Sequence, residues 1–391
     1  MSLSVKCQSC KNSFLIEEGD LSFYQKMQVP PPTFCSKCRL FRRCLWWNEH
    51  FFFKKKEEHT DELIFSMYSP SSKVKIYEHD YWWSDAWDPK LYGKDYDFNT
   101  PFFKQFSELL YSVPLCARSM KNCINSDYSN NATSIKNAYL CFNAEDSENV
   151  SYGFHFTGSD DCIDFYETKD SRLCYETFSL VDCERMFWSS DCAECYNVWF
   201  SDNCRNCADC FGCVNLRNKK YCIFNEQYTR DEYEKEIKMI YDGSFSKSQK
   251  ILKKMEDFAT QFPRQYIHGH RNKNVTGDYI YASNNTLECF EVHNIDNARF
   301  SQFIRRSKDV YDFTSWGATS ELIYESVSCG ASSQNLKFCF ECWPSSFDLE
   351  YCVECHSSSY CFGCVWLQKA KYCIFNKQYT KEEYFSLRSK I

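Results

Sequence analysis

Two twenty-residue segments of this chain are almost the same, and each contains a CxxC pair followed by a third cysteine. The first, CFGCVNLRNKKYCIFNEQYT, runs from Cys210 to Thr229, and the second, CFGCVWLQKAKYCIFNKQYT, runs from Cys361 to Thr380. Internal self-similarity of this kind marks repeat architectures. The pair therefore predicts two related structural units within one chain.

A shorter period runs through both halves. Intervals of thirteen residues separate Asn294, Ser307, Ser320, Ser333, Ser346 and Ser359, and cysteines fill a second column at Cys329, Cys342 and Cys355. In the first half, Ser134 and Ser147 are thirteen residues apart, and Ser159 and Ser171 follow at twelve. This is too short for a helical-pair repeat and suits one rung of a narrow parallel β-solenoid, with rungs about 4.8 Å apart.

The sequence thus predicts a mainly β fold, in which an N-terminal treble-clef or zinc-ribbon module precedes two tandem narrow parallel β-solenoids with rungs of 12–13 residues. Each solenoid would end in a short capping helix, because TRDE (Thr229–Glu232) and TKEE (Thr380–Glu383) have the capping-box pattern. The predicted domains are the module (1–60), an aromatic-rich connector with a helix at 101–113 (61–118), the first solenoid (119–241), a linker helix (242–274) and the second solenoid (275–391).

The N-terminal module carries the clearest metal-binding pattern. Cys7 and Cys10 form one CxxC pair, and Cys35 and Cys38 form another about 25 residues later. Two CxxC turns can complete a tetrahedral four-thiolate site, as in structural zinc modules. We therefore predict zinc at these four residues.

The cysteines of the solenoids admit three interpretations. They are packing, because cysteine is small and often buried; or they hold a zinc ion in each cap; or they hold an iron–sulfur cluster, which the spacing supports poorly because the last gap is short and no proline follows. The candidate ligands of a second metal are Cys204, Cys207, Cys210, Cys213 and Cys222, and those of a third are Cys352, Cys355, Cys361, Cys364 and Cys373.

A basic segment with aromatic residues follows the second CxxC pair. Cations beside exposed tryptophans can bind nucleic acid through phosphate contacts and stacking; the alternative is a solvated helix face with the tryptophans packed beneath it. The candidate contacts are Arg39, Arg42, Arg43, Trp46, Trp47, Lys54, Lys55 and Lys56.

Motifs of catalysis are missing from the rest of the sequence, which contains no P-loop, GxGxxG, GxSxG or HExxH. An enzyme acting on polysaccharide would follow only from analogy with larger β-helices, with Asp160, Asp161 and Asp164 as its carboxylates. The tryptophan-rich stretch Tyr77–Pro89 is either a ligand cleft or, more in keeping with its composition, the core where two domains meet. His356 lies beside Cys355 and is either a ligand or a lining residue.

Composition limits the environment and the partners. A net charge of −7 argues against wholesale coating of nucleic acid or of an anionic membrane. The 27 cysteines follow an N-terminal stretch without a signal-peptide pattern, and no apolar run is long enough to span a bilayer. We expect a cytoplasmic protein with thiols or metal ligands instead of disulfides, and a protein or nucleic acid as its partner.

Several phrases together resemble a known family: CQSCKNSFLIEEGDLSFYQKM, VPPPTFCSKCRLFRRCLWWNE, YEHDYWWSDAWDP, CFGCVNLRNKKYCIFNEQY and NVTGDYI. They are similar to the uncharacterised cysteine-rich zinc-ribbon and repeat proteins of candidate-phyla-radiation (Patescibacteria) bacteria, over most of the chain. The resemblance implies a cytosolic zinc-binding protein, with Cys7, Cys10, Cys35 and Cys38 as ligands, and it implies no activity. From the residues and the resemblance together we expect a non-enzymatic scaffold or interaction protein.

Overall fold

The computed structural model describes residues 2–48 and 50–391 and shows a mainly β chain. The chain divides into two compact units. The first combines Met1–Asn48, Phe53–Ala117 and Gln265–Ile391, and the second combines Glu49–Phe52 and Arg118–Arg264. Among the helices of these described residues, none is both long enough and apolar enough to cross a membrane.

Short strands and a few helices alternate along the chain. The helices are Glu18–Lys26 (α1), Ser36–Cys44 (α2), His79–Trp83 (α3), Phe102–Ser112 (α4), Arg230–Ile240 (α5), Phe245–Ala259 (α6) and Lys381–Lys390 (α7). The strands before the first repeat region are Leu3–Lys6 (β1), Ser13–Ile16 (β2), Phe53–Lys56 (β3), Leu63–Ser66 (β4), Ile76–Tyr77 (β5) and Leu115–Cys116 (β6).

The other strands lie in two regions, residues 120–227 and 269–378, which we call the first and second repeat regions. Those of the second unit are Met120–Lys121 (β7), Asn130–Thr133 (β8), Lys136–Tyr139 (β9), Phe142–Glu145 (β10), Glu148–Thr157 (β11), Ile163–Lys169 (β12), Tyr175–Val181 (β13), Ser190–Ala193 (β14), Tyr196–Trp199 (β15), Ala208–Phe211 (β16), Lys220–Ile223 (β17) and Glu226–Gln227 (β18). Those of the first unit are Gly269–His270 (β19), Lys273–Tyr281 (β20), Asn284–Arg299 (β21), Gln302–Gly317 (β22), Ile323–Val327 (β23), Phe347–Glu350 (β24), Ser359–Phe362 (β25), Lys371–Ile374 (β26) and Lys377–Gln378 (β27).

Parallel pairing at a short, regular offset organises these strands. Phe142 pairs with Phe154 twelve residues later, and Phe290 pairs with Gln302 at the same distance. The resulting sheets have the orders β14-β13-β12-β11-β10-β8-β7 (with β9 on β11), β15-β16-β17-β18, β19-β20-β21-β22-β23 and β24-β25-β26-β27. The prediction of a mainly β chain is confirmed, and its repeat-region sheets are parallel except where a short antiparallel strand closes two of them.

Inward-pointing residues recur every three positions in the repeat regions, with a step of four where an interval has thirteen residues. Cys183, Met186 and Cys192 are buried at intervals that are multiples of three. The residue two places after each inward one is left-handed, as at Arg185 (φ 60°) and Trp188 (φ 48°). In an ordinary strand successive side chains alternate between two faces; a left-handed residue in each triplet turns the chain, so the fourth residue faces inward again.

Asparagine and aspartate tolerate the left-handed region better than other residues with a Cβ, and here they also bond to one another. The side-chain amide of Asn125 donates to the Oδ1 of Asn137 at 3.0 Å, Asn137 donates to Asn149 at 3.0 Å, and Asn149 donates to Asp161 at 3.2 Å. Each step is twelve residues. This amide ladder gives a physical reason for the frequency of asparagine at these positions.

The predicted interval of thirteen residues is correct from Ser307 to Ser346. It is wrong before Ser307 and after Ser346, where the interval is twelve. Ser320, Ser333 and Ser346 are buried and thirteen residues apart. Ile295, however, pairs with Ser307 in place of Asn294, and Ser358, not Ser359, donates its backbone N–H to Ser346. In two of the longer intervals the extra residue lies where two consecutive residues are left-handed, at Ala318–Thr319 and Ala331–Ser332; in the third, Ser345 alone is left-handed between the buried residues Cys342 and Ser346.

The first repeat region keeps an offset of twelve, which also corrects one predicted alignment. Lys136 pairs with Glu148, so the residue level with the buried Ser147 is Ile135 and not Ser134. The side chain of Ile135 is buried. Counting from serine to serine therefore places the position level with Ser147 one residue too early in the chain.

The duplicated segments build the same local structure twice. In each, two cysteines pair across parallel strands (Cys210 with Cys222, and Cys361 with Cys373), and an antiparallel turn follows. The turn is held by Asn376, whose side chain accepts the N–H of Val365 at 2.8 Å and donates to its carbonyl at 2.7 Å. Asn225 makes the equivalent pair of bonds.

Both predicted capping boxes are present. Thr229 begins α5 and Thr380 begins α7, and in each case the N-cap side chain accepts the third backbone N–H of the helix while a glutamate reaches back to the N-cap. Helix α4 also forms where expected, with Pro101 as its N-cap residue, and Thr100 donates its hydroxyl to Asp97 at 2.8 Å. Helix α6 lies within the predicted linker helix and buries Ile251 and Met255.

The tryptophan-rich connector belongs to the core of the first unit. Trp82 is buried and stacks on Trp366 with ring centroids 3.3 Å apart, and its indole N–H donates to the Pro114 carbonyl at 3.1 Å. Val365, Phe375 and other residues of the second duplicated segment join the same cluster. This outcome agrees with the core interpretation of Tyr77–Pro89.

Candidate metal centre

Four thiols meet beside the N-terminal hairpin. Cys7 and Cys10 lie in the turn between β1 and β2, Cys35 is the N-cap residue of α2, and Cys38 lies in its first turn. All four Sγ atoms lie within 4.8 Å of one another, and those of Cys10 and Cys35 are 3.8 Å apart. An ion bound tetrahedrally by thiolates at about 2.3 Å separates its sulfurs by about 3.8 Å. The group could therefore hold a metal ion.

The hairpin turn is shaped to present its two cysteines. The N–H of Cys7 donates to the carbonyl of Asn12 at 2.9 Å, and the N–H of Lys11 donates back to the carbonyl of Cys7 at 3.1 Å. Lys11 adopts the left-handed conformation (φ 65°) that closes this turn. The backbone N–H of Cys35 lies 3.3 Å from the Cys7 sulfur, which brings the helix start to the turn.

The electrostatic surroundings of the thiols differ. Burial of Cys7 opposes ionisation, but backbone N–H groups of Cys35, Cys10 and Ser9 outweigh it and lower the pKa of Cys7 to about 6. Burial raises the pKa of Cys35 to about 11, and hydrogen bonds from neighbouring thiols add to this effect. The N–H donors around Cys7 are groups that stabilise a thiolate, the form that binds metal.

Two arginines of α2 form a buried ion pair with the parallel sheet of the first unit. Arg39 Nε lies 2.9 Å and Arg43 Nη1 2.8 Å from the carboxylate oxygens of Asp312, in β22. The two arginine side chains are 2% exposed and the aspartate is fully buried. Arg43 also donates to the Thr314 hydroxyl at 3.0 Å and to the Phe300 carbonyl at 2.9 Å.

This ion pair corrects the sequence prediction for Arg39 and Arg43. The sequence predicts that both contact nucleic acid, but their guanidinium groups are buried and bonded to groups of the protein. Asp312 was not recognised from the sequence. The sequence offers one clue to its role, a single carboxylate among apolar neighbours in VYDFTSW. A charged side chain is retained in a buried strand only if it is paired.

A second set of contacts supports the same docking. The Phe23 ring of α1 stacks on Tyr311 with centroids 3.8 Å apart. Arg299 pairs with Asp20 and with Glu17, the latter at 2.7 Å. The module that contains the four thiols is thus fixed to the sheet by charge and by aromatic packing.

The remaining residues of the basic segment do not converge. Trp46 is 42% exposed and lies near Phe340, whereas Trp47 is half-buried against Phe303. The other predicted contacts pair within the protein: Arg42 with Glu325, Lys54 with the Phe65 ring, Lys55 with the carbonyls of Ser69 and Ser72, and Lys56 with Asp61. Nucleic-acid contact by these residues stays a prediction.

The cysteines of the repeat regions line the interior. Cys204, Cys207, Cys210 and Cys213 occupy successive inward positions and are buried. Each sulfur lies within hydrogen-bonding distance of the carbonyl two residues earlier, as for Cys207 and Arg205 at 3.2 Å. Burial raises the pKa of Cys141 to about 11 and that of Cys289 to about 12, which favours the S–H form at both.

These thiols do not gather as the N-terminal four do. In the described part of the chain, Cys7, Cys10, Cys35 and Cys38 form the one group that brings three or more candidate ligand residues together. The triplet period explains the CxxC spacing without a ligand, because inward positions recur every three residues. A second metal at Cys204–Cys222 and a third at Cys352–Cys373 stay predictions.

His356 and Asp161 occupy structural positions. His356 is buried among Trp82, Trp343 and Trp366, and its Nδ1 bonds to the Trp343 carbonyl. Burial lowers the pKa of its imidazole to about 4. Asp161 ends the amide ladder, where it accepts from Asn149.

Comparison with known proteins adds no relative. A scan against models of protein families found no match, and no curated protein sequence matches the chain. The geometry of the four-thiol site therefore carries the functional argument.

Proposed function

We propose that the protein is a zinc-binding, non-enzymatic scaffold in which two narrow parallel β-solenoids form the body and one zinc ion fixes the N-terminal module. The observation that carries the proposal is the four-thiol group, with its sulfurs within 4.8 Å of one another. A closed set of four thiolates is typical of structural zinc, since catalytic zinc keeps one position open for water.

The pairing pattern supports the solenoid part of the proposal. Parallel partners at an offset of twelve or thirteen residues, with an inward residue every three, are what stacked rungs require. Each rung would then contribute four inward side chains. The capping boxes of α5 and α7 stand directly after the last rungs, where a solenoid needs its backbone edge covered.

The role proposed for zinc is to hold α2 in place. Cys35 and Cys38 anchor the start of this helix, and Arg39 and Arg43 of the same helix reach Asp312. Metal binding contributes directly to the folding of such modules. Loss of zinc should therefore loosen the helix and expose part of the sheet beneath it. The partner of the scaffold would be a protein or a nucleic acid in the cytoplasm.

The test is the metal content of the full chain, measured by native mass spectrometry together with elemental analysis. We expect one zinc per chain, and we expect Cys35→Ser to remove it. Cys44→Ser is the matched control, because Cys44 also belongs to α2 but lies outside the group, and this variant should keep the ion. A chain without zinc, or with iron and sulfide, would contradict the proposal; two further zinc ions would support the second and third predicted sites.

A further inference from the structure

A second hairpin repeats the turn that holds Cys7 and Cys10. In the hairpin of β3 and β4, the N–H of Glu57 donates to the carbonyl of Glu62 at 3.0 Å, and the N–H of Asp61 donates to the carbonyl of Glu57 at 3.2 Å. Asp61 is left-handed, with φ 64°. The corresponding bonds of Cys7 measure 2.9 and 3.1 Å, and Lys11 has φ 65°. Every position corresponds at an offset of fifty residues.

The helix that follows the second hairpin is placed in the same way. The backbone N–H of Gln8 donates to the carbonyl of Thr33 at 2.9 Å, two residues before Cys35, the N-cap of α2. The N–H of Glu58 donates to the carbonyl of Ile76 at 3.0 Å, two residues before Glu78, the N-cap of α3. In both cases one backbone bond sets the helix start beside the turn.

The Glu57 carboxylate accepts backbone hydrogen bonds at the place where the Cys7 sulfur accepts them in the first hairpin. It accepts the N–H groups of His59 at 3.2 Å and Thr60 at 2.5 Å, and it is almost fully buried. Burial would raise the pKa of Glu57, but hydrogen bonds from Thr60 and His59 and from the backbone of Glu78 lower it. Around Cys7 the donors are the residues two and three places later and the N-cap of α2. The two acceptors thus share the same three donor positions.

We infer that residues 53–83 are a second hairpin-and-helix module of the same design, in which the buried Glu57 carboxylate does without metal what the thiolate site does in the first. Glu57, Thr60, Glu78 and Tyr81 stand at the positions of Cys7, Cys10, Cys35 and Cys38. The backbone of this second module consequently retains the geometry of a four-thiolate metal site, and its side chains have replaced the ion. One module depends on metal and the other does not.

The side chains around Glu57 are consistent with a site closed by protein groups. Glu78 caps its own helix by accepting the Asp80 N–H at 2.7 Å. Tyr81, at the position of Cys38, stacks on His59 with ring centroids 3.7 Å apart and an interplanar angle of 7°. This ring pair joins the hairpin turn, which contains His59, to α3, which contains Tyr81.

The test is to restore the four ligands in the full chain. We expect the variant Glu57→Cys/Thr60→Cys/Glu78→Cys/Tyr81→Cys to bind one more Co²⁺ per chain than its parent, with the charge-transfer and visible bands of tetrahedral thiolate coordination. The matched control is Glu58→Cys/Asp61→Cys/His79→Cys/Asp80→Cys, which adds four thiols to the same elements out of register. The comparison is a difference from the parent, so it stands whether or not the first site holds zinc. No gain over the parent, or an equal gain in the control, would overturn the inference.

Hydrogen exchange gives a second measurement that needs no folded four-cysteine variant. In the unaltered chain, stripping metal with a chelator should remove protection from the amides of residues 7–12 and leave that of residues 57–62. Glu57→Gln should lower protection at residues 57–62 with unchanged metal content. Loss of both segments on chelation, or no response to Glu57→Gln, would contradict the inference.

Discussion

The buried ion pair of Asp312 offers the sharpest test of how the N-terminal module is held. We expect Asp312→Asn to lower the free energy of unfolding by about 3–5 kcal/mol, the range for breaking one side of a buried pair. The upper half of that range is expected, because one fully buried carboxylate serves both Arg39 at 2.9 Å and Arg43 at 2.8 Å. Two guanidinium groups would be left without a counter-charge.

Urea unfolding followed by circular dichroism measures this loss. Asp95→Asn is the control: Asp95 pairs with Lys377 at 2.6 Å, but its side chain is 75% exposed, and exposed pairs contribute about 0–1 kcal/mol. The triple variant Asp312→Leu/Arg39→Met/Arg43→Leu should recover most of the loss, since it removes all three buried charges together. If Asp312→Asn changed stability no more than Asp95→Asn does, the ion pair would not be what fixes α2 to the sheet.

Two further predictions concern single positions. The imidazole of His356 has a pKa near 6.5 in the unfolded chain, whereas burial lowers its pKa to about 4 in the folded chain. The unfolded chain therefore takes up the proton at the higher pH, and the free energy of unfolding should fall by about 3 kcal/mol as the pH drops through this window. His356→Gln should flatten that part of the pH profile of thermal unfolding, and an unchanged profile would contradict the burial argument. Gly277 has φ 127°, and a Cβ there would lie 1.7 Å from the carbonyl oxygen of Cys289, so Gly277→Ala should destabilise the folded protein by about 2–3 kcal/mol in thermal unfolding. The control is Gly19→Ala, in a helix with open space around it, which should be neutral or stabilise the protein by up to about 1 kcal/mol.

Local signals in the sequence were sufficient for the parts of the fold that depend on neighbouring residues. The paired CxxC spacing identified Cys7, Cys10, Cys35 and Cys38, which the structure brings together. The capping boxes located α5 and α7, because an N-cap and its glutamate lie within one turn. The period of twelve to thirteen residues predicted parallel pairing, since stacked partners recur at that interval.

Other features depend on residues that are distant in the chain. Arg39 and Arg43 looked like surface cations, because their partner Asp312 lies about 270 residues away. The offset of twelve or thirteen depends on where an extra residue is inserted at a corner, which serine spacing alone does not show. Glu57 had no sequence signal, because it resembles Cys7 only in the hydrogen bonds that it accepts.

The recurrence of inward-pointing residues every three positions also limits how the length of such a chain can change in evolution. A deletion of one residue in β11 after Asn149 would turn each later side chain of that layer to a different face and break the last step of the amide ladder, from Asn149 to Asp161. Removal or duplication of twelve residues would leave every inward position inward and every ladder in step. Single-residue changes are absorbed where the chain already has adjacent left-handed residues, as at Ala331 and Ser332. Relatives of different length should therefore differ by whole layers, or by single residues at these corners.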